Sequence, residues 1–255
     1  MTKQPIKLIQ SIQRAIDILD CFSLVNPNLS IHDISEKVNL NVNTARGIIN
    51  TLLANKLLIY NKSTNLYSLG NYFIGRANII NKRFEPYLEL FKPMVDEIAN
   101  TYKLSASLQI VSQDEISSIY CTYPDNAAYY IMLSENSALP LHATSSGKLL
   151  LVHHLLPMDP NILDELDYQI FTDKTIKSAD ALHRHLEEIA KLGYSWETEE
   201  FNLGVASMAV PIFSQDHIIG TISATFFESS RANLQDQLLE DLRKAASKMS
   251  TSLST

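Results

Sequence analysis

Ser30 to Gly70 reads SIHDISEKVNLNVNTARGIINTLLANKLLIYNKSTNLYSLG. Ser30 and Asp33 stand in the S-x-x-D spacing of a capping box, which predicts a helix from Ile31 to Val38 with Ile31, Ile34 and Val38 on its buried side. Asn39-Leu40-Asn41 is a turn, and either Asn41 or Asn43 caps a further helix that runs to about Asn55. Val42, Ala45, Ile49 and Leu52 repeat at helical spacing and form its core stripe. Leu57–Tyr60 and Leu66–Leu69 then predict two paired strands around a polar tip containing Lys62 and Ser63. Two helices followed by a small hairpin is the layout of a winged helix-turn-helix.

The outer face of the second of these helices carries Asn43, Thr44, Arg46, Gly47 and Asn50, and no acid. A helix that only faces water usually alternates Glu and Lys. A helix that enters the major groove needs small or hydrogen-bonding side chains that reach base edges and phosphates. Gly47 costs about 1 kcal/mol of helix stability relative to alanine. It either permits close approach to DNA or is simply tolerated. Arg14, on an earlier helix, and Lys62 and Ser63, in the wing, are expected at phosphates, with a plain solvated turn as the alternative for the wing.

Charge supports the same division. Residues 1–80 hold eight Lys/Arg against four Asp/Glu, a surplus of four positive charges. Residues 81–255 hold thirteen against twenty-four, an excess of eleven negative charges. A head suited to a polyanion and a body that avoids one are expected. Cys21 and Cys121 are a hundred residues apart and suit neither a disulfide framework nor a metal site. No run approaches the ~18 apolar residues of a membrane span. Asp17 and Asp20 interrupt the only early apolar stretch that resembles a leader. A soluble, cytoplasmic protein is expected.

Upstream, Ile9–Phe22 predicts an amphipathic helix with Ile12, Ile16 and Leu19 on one face, joined by Ala15, Ile18 and Phe22. Downstream, residues 71–83 predict a linker helix. From Phe84 the pattern predicts a long helix, kinked or broken at Pro93. Strands are expected over Leu104–Val111, Ile116–Tyr123 and Ala128–Leu133, and helices over Ser145–Leu155 and Asp180–Leu192. Strands Tyr194–Thr198, Ala206–Phe213 and Ile218–Phe226 and a helix Leu234–Met249 follow. This is an α+β body, one sheet with helices on its faces. The expected domains are residues 1–70, a linker at 71–83, and 84–255.

Several stretches resemble one family. Gln10–Leu19, Asn43-Thr44 with Asn50-Thr51-Leu52, and Tyr67-Ser68-Leu69-Gly70 look like the head of IclR-type bacterial transcriptional regulators. LPLHATSSGK, Leu139–Lys148, is similar to the most recognisable segment of that family's second domain. Gly193-Tyr194, Glu199-Glu200, Gly204-Val205 and Ile222–Thr225 complete the match in order. The resemblance implies a PAS/GAF-like antiparallel sheet with flanking helices in the second domain. It also implies homodimers, often paired into tetramers, that bind double-stranded operator DNA and answer to small organic acids or aromatic metabolites. Carried over by motif, the effector would meet Ser145, Ser146, Glu197, Ser207, Ser223 and Thr225. No cofactor and no metal are called for.

Two departures stand out. Relatives commonly carry arginine where Gly47 stands, behind Arg46. Phe226-Phe227 replaces a frequent serine-glycine pair, which would narrow the pocket or favour a more apolar ligand. Enzymatic readings gain little. Thr144–Lys148 fails as a P-loop because His142 stands at the first glycine position and Leu149 follows the lysine. No G-x-S-x-G elbow exists. His183/His185 and His153-His154 point to different helix faces. His142 reads as a packed histidine before a ligand. Glu187-Glu188 and Glu199-Glu200 read as solvated faces, whereas Glu197 suits a buried acceptor. The remaining alternative is a metabolite-sensing or catalytic second domain whose winged helix docks protein.

Overall fold

The computed structural model describes residues 8–23, 25–126, 130–133 and 139–252, apart from the side chains of 231–235. Its contacts divide it into two compact units, Met1–Arg83 and Phe84–Thr255. The linker segment falls within the first of them.

In the first unit α1 (Gln10–Asp20), α2 (Ile31–Lys37) and α3 (Val42–Ala54) enclose a core of Ile18, Phe22, Ile34, Ala45, Ile49, Leu52 and Leu58. The capping box at Ser30 is complete: the Asp33 N–H donates to Ser30 Oγ, and the Ser30 N–H donates to Asp33 Oδ2 at 2.8 Å. Asn41, not Asn43, caps α3, with the Thr44 N–H donating to Asn41 Oδ1 at 2.8 Å. Strands β1 (Leu58–Asn61) and β2 (Leu66–Leu69) pair antiparallel, and a bridge from Leu29 to Tyr67 ties the wing to the start of α2. The last element, α4 (Tyr72–Asn81), buries no residue.

The apolar face of α1 differs from expectation. Ile18 and Phe22 enter the core, but Ile12 and Ile16 remain 56% and 44% exposed. The helix carries two apolar stripes, and the packing of α3 covers only the one containing Ile18.

The second unit is built on one five-stranded antiparallel sheet in the order β4-β3-β7-β6-β5: β3 (Ser105–Ser112), β4 (Glu115–Thr122), β5 (Ser195–Thr198), β6 (Val205–Ser214) and β7 (His217–Phe227). One face packs on α5 (Glu85–Tyr102) and α10 (Arg231–Ser252) through Leu108, Met208, Ile222, Phe91 and Leu242. The other meets α6 (Ser145–Leu150) and α9 (Ala179–Leu192) through Ile116, Leu149, Leu182 and Ala209. Short helices α7 (Leu156–Met158) and α8 (Ile162–Glu165) complete the layer.

Three expectations need correction. The expected helix has no break at Pro93: α5 continues through it, with Phe91, Val95, Ile98 and Ala99 all anchored in the core around it. The expected helix Ser145–Leu155 is α for one stretch only and becomes a π-helix at Leu151–Leu155. The expected strand Ala128–Leu133 lies partly outside the described residues, and Tyr130–Leu133 forms no strand. Side chains hold that segment instead: Ser105 Oγ donates to the Ile131 carbonyl at 2.6 Å, and the Leu133 N–H donates to Tyr123 Oη at 3.2 Å.

Candidate effector cavity and nucleic-acid interface

On α3, Asn43, Arg46, Gly47 and Asn50 follow one another at i, i+3, i+4 and i+7, and all four are exposed on one face; Thr44 beside them is half-buried. A Cβ at Gly47 would meet nothing within 4 Å, so no internal packing demands glycine there. In the wing, Lys62 is exposed, while the Ser63 hydroxyl donates to Asn61 Oδ1 at 2.6 Å and helps hold the turn. Arg14 is half-buried on α1.

In the second unit, the face toward α6 is made polar by strand register. Glu197, Ser207, Thr225 and Ser105 are successive cross-strand partners over β5, β6, β7 and β3. Ser223 and Ser107 pair in the neighbouring row, and Thr221, Gln109 and Ser118 in the next. The period of two then places these side chains on one face of the sheet. α6 closes over them because Gly147 allows the Pro140–Leu141 backbone to approach; a Cβ there would stand 2.6 Å from Leu141 Cα.

Between sheet and helix lies a cavity of about 380 Å³. Ser145, Ser146, Glu197, Ser207, Ser223 and Thr225 all line it, with Ser107, Gln109, Ser118 and Thr144. Ile131, Met132, Leu133, Leu139, Pro140, Phe201, Asn202 and Val205 complete the wall. Ser107, Gln109, Ser118, Thr144 and Asn202 escaped sequence reading, although Ser105-Ala106-Ser107-Leu108-Gln109-Ile110 alternates polar and apolar as a strand with one polar buried face should. Phe226 and Phe227 do not line the cavity: Phe226 points to the opposite sheet face, into the core with α5 and α10.

Hydrogen bonds organise the floor. The Gln109 amide donates to Ser107 Oγ at 2.7 Å and Ser223 Oγ at 3.0 Å, and its Oε1 accepts from Thr221 Oγ1 at 2.7 Å. Ser145 and Ser207 hydroxyls lie 2.8 Å apart, and Ser207 stands directly across the sheet from Glu197. Thr144 caps α6 by accepting from the Gly147 N–H at 3.1 Å.

Beyond Glu197 lies a buried ion pair that sequence reading missed. Lys148, wholly buried, reaches Glu200 Oε1 at 2.6 Å, so Glu200 is not part of a solvated face. Burial lowers the Lys148 ammonium and raises the Glu200 carboxyl, each opposed by the attraction of the other. The 2.6 Å hydrogen bond joins them whichever atom holds the proton. One ammonium serves two carboxyls: its attraction also reaches Glu197, but it does not offset the burial of that carboxyl. Burial therefore pushes its carboxyl up to about 7, against the Glu200 N–H that donates to it at 3.0 Å. His185, on the far side of Lys148, is pushed down to about 4 by burial and by that ammonium.

His142 is a packed histidine: its Nε2 hydrogen-bonds the Gln169 carbonyl at 3.0 Å and its ring stacks on Phe171. No helix among the described residues is long and apolar enough to cross a membrane.

The family model of the IclR helix-turn-helix domain matches residues 11–61, and that of the bacterial transcriptional regulator IclR C-terminal domain matches residues 86–251. The chain belongs to the IclR family. It is a transcriptional regulator, not an enzyme, with a helix-turn-helix head and an effector-binding C-terminal domain. Among curated relatives, the regulator XynR of Escherichia coli (strain K12) is 27% identical over 239 residues, covering 91% of this chain and 93% of XynR. The regulator BhcR of Paracoccus denitrificans is 28% identical, over 80% of this chain and 72% of BhcR. Two solved IclR structures share the fold. One, from Alicyclobacillus acidocaldarius, has a TM-score of 0.76 at 20% identity and covers 98% of this chain and 100% of its own. The other is an IclR homolog from Microbacterium hydrocarbonoxydans complexed with 4-hydroxybenzoate; its TM-score is 0.73 at 21% identity, over 95% of this chain and 98% of that one.

Proposed function

We propose that this regulator controls a catabolic or metabolic operon, binding operator DNA as a homodimer and a small organic acid in the C-terminal cavity. The cavity carries the reading. Its volume lies at the compact end of ligand sites, and its polar groups converge on one wall while apolar side chains form the rim. The first two N–H groups of α6, at Ser145 and Ser146, are not capped by Thr144 and face a carboxylate favourably, with serine hydroxyls around them. The 4-hydroxybenzoate bound by the Microbacterium homolog agrees in chemical class.

On the DNA side, Asn43, Thr44, Arg46, Gly47 and Asn50 would enter the major groove, while Arg14, Lys62 and Ser63 would contact phosphates. A two-fold pair of heads then reads a roughly palindromic site. Effector binding changes the placement of the heads through α4, with a coupling of about 1–3 kcal/mol. The test is titration of the chain's own upstream DNA at several salt concentrations. Arg46→Ala and Asn50→Ala should each weaken binding by about 1–3 kcal/mol. Binding by both variants that is unchanged and insensitive to salt would remove α3 from the groove.

A further inference from the structure

We infer that the cavity takes an anionic ligand together with one proton, which lodges on Glu197 and turns the Ser145–Ser207–Glu197 hydrogen-bond chain from closed to donating. The inference rests on the organic-acid reading above and names the protonation state in which that acid is bound.

The argument is a count of hydrogens. An ionised carboxylate only accepts, and each hydroxyl has one hydrogen to give. With Glu197 ionised, its carboxylate draws the hydrogen of Ser207, its partner across the sheet. Ser145, 2.8 Å from Ser207, then gives its own hydrogen to Ser207. Both hydrogens are spent inside the wall, and the oxygens turned to the cavity show lone pairs. An anion meets two oxygens and a carboxylate. With one proton added to Glu197, three hydrogens serve two internal links. One hydroxyl hydrogen of the serine pair is released to donate into the cavity, and the charge of the wall falls by one.

The surroundings leave the ligand no other counter-charge. The cavity lining includes no lysine, arginine or histidine among the described residues. Of the charged and titratable groups that face Glu197, Lys148 on α6 is held by Glu200 at 2.6 Å; its attraction favours an ionised Glu197 but is opposed by the burial of that carboxyl and by repulsion from Glu200. His185 on α9 lies behind Lys148, 3.5 Å from its Nζ, and is held neutral there. β6, β7 and β3 present Val205, Ser207, Thr225, Ser223, Ser107 and Gln109 to the cavity, none of them charged. The Glu197 carboxyl, already raised to about 7, takes up a proton more readily once an anion arrives.

The test is calorimetric titration of the full chain with pyruvate, gluconate and 4-hydroxybenzoate, in buffers of different ionisation enthalpy. The acid that binds should take up close to one proton above neutral pH, and its affinity should fall about tenfold per pH unit there. Glu197→Gln, neutral at every pH and able to donate to Ser207, should bind that acid with no proton uptake and no pH slope. Binding without proton uptake, or an unaltered slope in Glu197→Gln, overturns this inference alone and leaves the organic-acid reading standing. Absence of binding by all three acids, at every pH, overturns both.

Discussion

A buried glutamate beside an already paired lysine leaves a mark on folding that needs no ligand to measure. Glu197 is 3% exposed, and its carboxyl is raised from the ordinary 4.5 to about 7. The folded state therefore binds a proton more tightly than the unfolded chain. Its contribution is complete below about 4.5 and is lost as pH rises through about 7. His185 runs the other way: its ring is lowered from 6.5 to about 4, so its contribution is complete above 6.5 and is lost on acidification. The two slopes oppose each other across the weakly acidic range. We predict that Glu197→Gln uncovers the histidine: by urea denaturation, the variant should lose stability on acidification more steeply than the parent. Above neutrality it should exceed the parent by up to about 3 kcal/mol. A variant that parallels the parent at every pH would show that Glu197 titrates normally. Little of this was legible in sequence. Glu197 and the serines were reached by motif, and Ser107 and Gln109 were there to be read in strand alternation. The Lys148–Glu200 pair spans fifty-two positions, and no local pattern announces a contact made by the closing of α6 onto β5.

Elements were more legible where local signals decide them. The caps at Ser30 and Asn41 each satisfy a helix N–H three residues away, so their spacing is visible in the chain itself. The period of two in β3, β6 and β7 survives because each strand is buried on both faces by different chemistry. Sequence reasoning failed where tertiary packing overrules local preference: α5 runs through Pro93, and Tyr130–Leu133 is held by side chains instead of a ladder. α3 offers the sharpest element-level test, at Gly47. Its exposed position and the free space around its absent Cβ mean that Gly47→Ala should stabilise the helix by about 0.5–1 kcal/mol. If the glycine serves close approach to DNA, the same variant should bind the operator at least several-fold more weakly while melting at a higher temperature. Gain of stability with unchanged DNA affinity would identify Gly47 as merely tolerated. Thermal melting and operator titration on one preparation separate the two outcomes.

At the scale of the whole molecule, the described residues of the first unit leave apolar surface without cover. Leu8 and Ile9 are each 64% exposed, Ile12 and Ile16 on α1 little less, and on α4 Ile74, Ile79 and Ile80 are 62%, 66% and 51% exposed. Single exposed aliphatics are ordinary, but these seven fall on α1, the two residues before it, and α4, which buries none of its residues. A second head would supply that cover, so α1 and α4 are the surfaces we expect in the proposed homodimer. The charge division argues the same way from the DNA side. A surplus of four positive charges in residues 1–80 is modest for one head against a body with an excess of eleven negative charges. Two linked heads act on one DNA molecule at high effective concentration, and their avidity exceeds that of one head by about a hundredfold or more. Ile12→Glu with Ile16→Glu places two charges in the expected interface without touching the core around Ile18. The double variant should sediment as a monomer at concentrations where the parent is a dimer. Its operator affinity should drop by a similar factor of about a hundred, with the ligand affinity of the second unit unchanged. A double variant that remains dimeric and binds operator normally would move the interface off α1, and the apolar face of α4 would then be the surface to charge next.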